Sequence, residues 1–94
     1  MTVAVRLAAA LRSHAGGAGR VEVDVPAPVT VLAVLDALAA GYPAVGRRLR
    51  DEGGALRPHV NVFVGADNVR DLDGLDTVVA EGSDVSVLPA VSGG

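Results

Sequence analysis

The chain has 94 residues, half of them hydrophobic, and a formal charge of −3. That length suits one domain with a modest core, and the charge argues against nucleic acid and anionic membranes as partners. Cysteine is absent, which excludes a disulfide framework, a thiolate nucleophile and a cysteine metal site.

In "TVAVRL", Val3, Val5 and Leu7 alternate with Thr2, Ala4 and Arg6, the pattern of a half-buried strand. The start of "AAALRSHAGGAGR" suits a helical turn, and "HAGGAGR" reads as a flexible loop. "VEVDV" alternates again with Val21, Val23 and Val25 inward, and Pro26 and Pro28 stop it. These two strands are expected to form a hairpin with a long connection.

Thr30 fits a helix N-cap, since its hydroxyl can accept from an orphan amide of the first turn. Val31, Val34, Leu35 and Leu38 follow as one apolar stripe. Gly41 fits the C′ position, and Pro43 prevents continuation. The polar "VGRRLRDEGGALRP" is expected to make a short turn of helix and then a loop.

"HVNVFV" is a strand with Val60, Val62 and Val64 on the core face. A very short strand is expected around residues 68–70, with Leu72, Leu75 and Val78 plugging the open side of the core. "DVSVLP" is the last strand, with Val85 and Val87 inward. One amphipathic helix covers one face of a sheet, so the fold class is α+β in two layers, with a second, more exposed sheet face. By parity Phe63, Asn61, Arg6 and Leu88 lie on that outer face, where they form a candidate surface for partner docking.

Catalytic motifs are missing. "GGAG" lacks the lysine and the Ser/Thr of a phosphate loop. His14 and His59 have no ligand pattern around them, so no metal site is expected. Ser13 beside His14 is not a triad. The acids from Asp67 to Asp84 read as a solvated surface or as a docking face for a basic partner. All eight basic residues are arginines, so the N-terminal amine is the one amine another protein's C-terminus could attack. No apolar run approaches the roughly eighteen residues of a membrane span, and the N-terminus lacks a secretory layout. A soluble cytoplasmic protein, monomeric when free, is expected.

The closing "VLPAVSGG" sets two glycines directly after a strand and Pro89. Glycine lets a backbone be approached closely from every side, so this ending suits insertion into a narrow active site. "VRLAAALRSHAGG", "VTVLAVLDALAAGYP" and "VLPAVSGG" resemble the MoaD/ThiS family of ubiquitin-like sulfur carriers. "HVNVFV" and "NVRDLDGLDTVVAEGSDVSVLPAVSGG" look most like its CysO-type branch. The chain departs from the usual pattern at Ala8, where a phenylalanine often stands, at Gly65, Ala66 and Asp67, and at Ser83.

The resemblance implies a ubiquitin-like β-grasp, a mixed sheet of about five strands on one main helix. It implies a single domain over residues 1–94 with a flexible tail from about residue 90. The carboxylate of Gly94 would be adenylated by a separate activating enzyme resembling the ubiquitin-activating adenylyltransferases, then converted to a thiocarboxylate. Pro89, Ala90, Val91, Ser92 and Gly93 would thread the partner's active site. ATP would belong to the partner, and the carrier would hold no cofactor and catalyse nothing itself. The acceptor would be a synthase of the cysteine-synthase or thiazole-synthase kind, or one making molybdopterin or a specialised sulfur metabolite. A ubiquitin-type modifier joined to other proteins through Gly94 is the alternative.

Overall fold

The computed structural model describes residues 1–89. Five strands, β1 (Thr2–Leu7), β2 (Arg20–Asp24), β3 (Val60–Val64), β4 (Asp67–Asn68) and β5 (Val85–Pro89), form one sheet in the order β2-β1-β5-β3-β4. β1 and β5 run parallel, and the other neighbours are antiparallel. The helices are α1 (Ala9–Arg12), α2 (Val31–Gly41) and α3 (Pro43–Leu49).

The valine alternation decides which sheet face is covered. Val3, Val5, Leu7, Val21, Val23, Val60, Val62, Val85 and Val87 are buried, and they pack in one cluster with Val31, Val34, Leu35 and Leu38 of α2. Val64 is half-buried against the same cluster. Each such side chain contributes about 1.5–3 kcal/mol when fully removed from water. Thr30 caps α2, its Oγ1 accepting from the Ala33 amide at 3.2 Å.

Four details differ from the sequence expectations. Gly41 is the last residue of α2, and Tyr42 (φ −138°, ψ 76°) is the C-cap, its amide donating to the Leu38 carbonyl at 2.8 Å. The residue before a proline is driven out of the α region, so the break falls at Tyr42 and needs no left-handed glycine. Pro43 then opens α3, where its fixed φ and missing N–H suit the first helical position. α3 is a full seven-residue helix with Val45 and Leu49 buried, so the polar stretch contributes to the core. The segment read as a flexible loop begins with a 3₁₀ turn, Ser13–Ala15, and Ala15 is buried.

The fourth difference concerns the open side of the core. Leu72 and Val78 are exposed, Val78 at 72%, and Leu75 is half-buried. Val69, Thr77 and Val79 are buried there instead. The Val31 amide donates to the Thr77 carbonyl and the Val79 amide to the Val29 carbonyl, both at 2.9 Å, around a bridge between Thr30 and Val78. Side chains alternate in such an extended pairing, so residues 77 and 79 face inward and 78 outward.

The β3–β4 turn is two residues long, with Gly65 at φ 60° and no positive φ at Ala66. Glycine at the first central position is the requirement of a type II′ hairpin, which explains why Gly65 stands there.

Candidate functional site

β5 lies between β1 and β3, hydrogen-bonded on both sides. Its final pairing is Pro89 with Val60, and the Ala8 amide donates to the Val87 carbonyl at 3.2 Å on the other side. The chain is therefore held on both sides up to Val87, and by β3 alone at Leu88 and Pro89. The remaining site residues, Ala90, Val91, Ser92, Gly93 and Gly94, lie outside the described residues.

The four docking candidates share the outer sheet face. Leu88 pairs with Asn61, and Ser86 lies between Arg6 on one side and Phe63 on the other. Leu88 is exposed, while Phe63 and Asn61 are half-buried and belong to no core cluster. Arg6 is exposed and pairs with Asp84 (Nε to Oδ2, 3.1 Å). The Asn68 side-chain Nδ2 donates to Asn61 Oδ1 at 3.3 Å, fixing the rim beside Phe63. This face thus offers one aromatic ring and one aliphatic side chain, framed by polar groups and continuous with the strand that ends at Pro89.

An open pocket of about 360 Å³ adjoins the same strand, lined by Arg6, Leu7, Ala8, Arg12, Gly19, Arg20, Ser86 and Leu88. The sequence reading missed Ser86, Arg12 and Arg20 here. Strand parity places Ser86 outward with Leu88. No sequence signal places Arg12 and Arg20 beside them, because the contact depends on how the segment after β1 folds back. Arg12 is oriented by its Nε donating to the Leu7 carbonyl at 3.1 Å, and Arg20 pairs with Glu22 at 3.3 Å.

Among the described residues, no group of three or more His, Asp or Glu side chains is placed to hold a metal ion. Nor is any helix there long and apolar enough to cross a membrane. No constellation of base, nucleophile and oxyanion donors occurs among the pocket-lining side chains.

A mixed five-stranded sheet with its main helix on one face, ending on a central strand, is the ubiquitin-like β-grasp. Residues 5–94 match the ThiS family, and the chain belongs to it. It is 38% identical over 96 residues to the sulfur carrier protein CysO of Mycobacterium tuberculosis (strain ATCC 25618 / H37Rv), with 100% of both chains covered. A chain in the crystal structure of the Amycolatopsis orientalis BexX/CysO complex matches with a TM-score of 0.86 at 35% identity, covering 98% of this chain and 99% of that one. SAMP1 from Haloferax volcanii matches with a TM-score of 0.86 at 33% identity over 100% of both chains.

Proposed function

We propose that this protein is a sulfur carrier and that the carboxylate of Gly94 is the group that bears the sulfur. The observation that carries the reading is the end of β5. A central strand, paired with β1 through Val87 and with β3 through Pro89, leads directly into a sequence of small residues and two glycines. The full-length similarity to a protein named as a sulfur carrier supports it.

A carboxylate is a poor electrophile. Attack of a Gly94 carboxylate oxygen on the α-phosphorus of ATP, with departure of pyrophosphate, converts it to an acyl adenylate. Sulfide sulfur then adds to the carbonyl carbon, AMP leaves with the C–O bond electrons, and a thiocarboxylate remains. ATP and the groups acting on it belong to the activating partner. This chain supplies the stem and a sterically thin tip. Residues 90–94 reach at most about 18 Å when extended, so the partner's reacting groups lie within that distance of the end of β5.

That the chain works through a protein partner is supported by the CysO relative found in complex with BexX. The sulfur acceptor is proposed as a cysteine-forming synthase, by similarity to CysO, with thiazole, molybdopterin or a specialised sulfur metabolite as the other destinations. The second reading, a protein modifier joined through Gly94, is favoured by the match to SAMP1. The two are separated by mass spectrometry. Incubation with ATP, sulfide and an activating enzyme of the ubiquitin-activating type should replace one oxygen by sulfur at Gly94. An unchanged mass across several competent activating enzymes, or recovery of the cellular form only as isopeptide-linked adducts, overturns the carrier reading.

A further inference from the structure

The arginines of this acidic protein are unevenly placed. Because β1 and β5 are parallel and both pair with antiparallel neighbours, the end of β5, the end of β1 and the starts of β2 and β3 lie at one end of the sheet. Asp24, Asp67 and Asp84 lie at the other end, at the close of β2, in the β3–β4 hairpin and just before β5. Beside the tail's exit, Arg47, Arg48, Arg57 and His59 line an open pocket of about 260 Å³ with no carboxylate among them.

This cluster is held in place. The Arg57 Nε donates to the Arg47 carbonyl at 3.0 Å, so its cation caps the C-terminal end of α3. The Arg57 amide donates to the Leu49 carbonyl at 2.9 Å, and Arg70 Nη2 donates to the carbonyls of Arg57 and Val60 at 2.8 Å each. The strand start, the helix end and the pocket are thus tied together. Arg47, Arg48 and His59 are exposed. Among the described residues the three ion pairs use Arg6, Arg20 and Arg50, so none of the three pocket arginines is ion-paired with a described carboxylate. The nearest acids in sequence, Asp51 and Glu52, belong to the turn after α3. Asp51 there accepts from the Ala55 amide at 3.0 Å.

We propose that the Arg47, Arg48, Arg57 and His59 pocket is an electrostatic docking surface for an acidic rim on the protein that receives the C-terminal segment. The inference rests on the carrier reading and names the chemistry of its partner. Val60 pairs with Pro89, so His59 and Arg57 lie just beyond the last pairing of β5. The tail's reach of at most about 18 Å keeps the channel mouth of a partner that takes it in close to this end of the sheet. A protein of net charge −3 is repelled by an acidic partner in most orientations, and the cationic edge makes the tail-first approach the attractive one. Complementary charge of this kind acts on association rate and orientation, and it weakens with salt.

Two measurements test this. In the first, an activating enzyme that modifies wild-type Gly94 is used at low ionic strength. Arg47→Glu/Arg48→Glu should slow association about tenfold, Arg47→Gln/Arg48→Gln by less, and both differences should shrink in 0.5 M NaCl. Glu81→Arg, an exposed reversal away from the exit edge, should not slow it. Melting temperatures identify any loss of folding from glutamates in the last turn of α3, and the glutamine pair then carries the test. Wild-type modification with unchanged rates in both pairs overturns the docking surface while leaving the carrier reading intact.

The second measurement needs no enzyme. In an NMR titration a decaglutamate peptide should shift the Arg57 Nε–H and the amides of Arg47, Arg48 and His59, and this should fail in the double-glutamate variant. Absence of those shifts, or equal shifts with inorganic phosphate at matched charge, overturns the proposal, the latter in favour of a small-anion site.

Discussion

Gly46→Ala tests the packing that presents the basic edge. Gly46 lies in the middle of α3, where helix propensity alone favours alanine by about 1 kcal/mol. A Cβ built there meets Ala39 of α2, 2.5 Å from its Cβ and 3.1 Å from its Cα. Carbon atoms rest about 3.5–4.0 Å apart, so the helices must separate by about 1 Å, and Ala39 has no flexible side chain to turn aside. Val45 and Leu49, both buried, are displaced with the helix. Overpacking of this kind costs about 1–3 kcal/mol, so after the propensity gain the net loss is about 1 kcal/mol and at most about 2. Each kcal/mol corresponds to about 4–8 °C in a domain of this size, and thermal unfolding followed by circular dichroism resolves that. Gly41 is the control, since a Cβ added there would meet nothing within 4 Å and its φ is not positive. Gly41→Ala should leave the melting temperature unchanged or raise it. In the double variant Ala39→Gly/Gly46→Ala the collision is gone, and the two changes should couple favourably by about 1–3 kcal/mol. A Gly46→Ala protein that melts at or above wild type would refute the claim of close contact between α2 and α3.

Phe63→Ala should lower affinity for the activating enzyme on the order of tenfold, as expected for an aromatic anchor in a docking face, with a melting temperature near wild type because Phe63 belongs to no core cluster. A stability loss of about 3–5 kcal/mol, the usual consequence of truncating a core phenylalanine, would instead show that it supports the fold. Gly93→Ala should fold normally and be activated more slowly, and Gly93→Val more slowly still, since β-branching narrows the accessible backbone conformations. Normal single-turnover rates for both variants would show that the two terminal glycines are not a steric requirement.

Period-two and helical patterning were enough to locate the strands β1, β2, β3 and β5 and the helix α2 in the sequence. The reason is local. Burial on one face imposes alternation on a strand and a stripe on a helix, and Thr30 announces its helix by supplying an acceptor for an orphan amide. The outer-face position of Phe63, Asn61, Arg6 and Leu88 followed from the same parity, because pleat geometry is set residue by residue. The hydrophobic contribution of α3 was hidden, since Val45 and Leu49 are too few to mark a stripe among arginines. The choice of Thr77 and Val79 over Val78 was also hidden, because it depends on residues 77–79 pairing with residues 29–31 across the fold. The order β2-β1-β5-β3-β4 was likewise not legible from pattern. Tertiary structure alone decided it, and with it the gathering of Arg47, Arg48, Arg57 and His59 beside the end of β5. Charge attraction has no sequence period, and the elements that carry these four side chains meet only when the sheet closes its register at Val60 and Pro89.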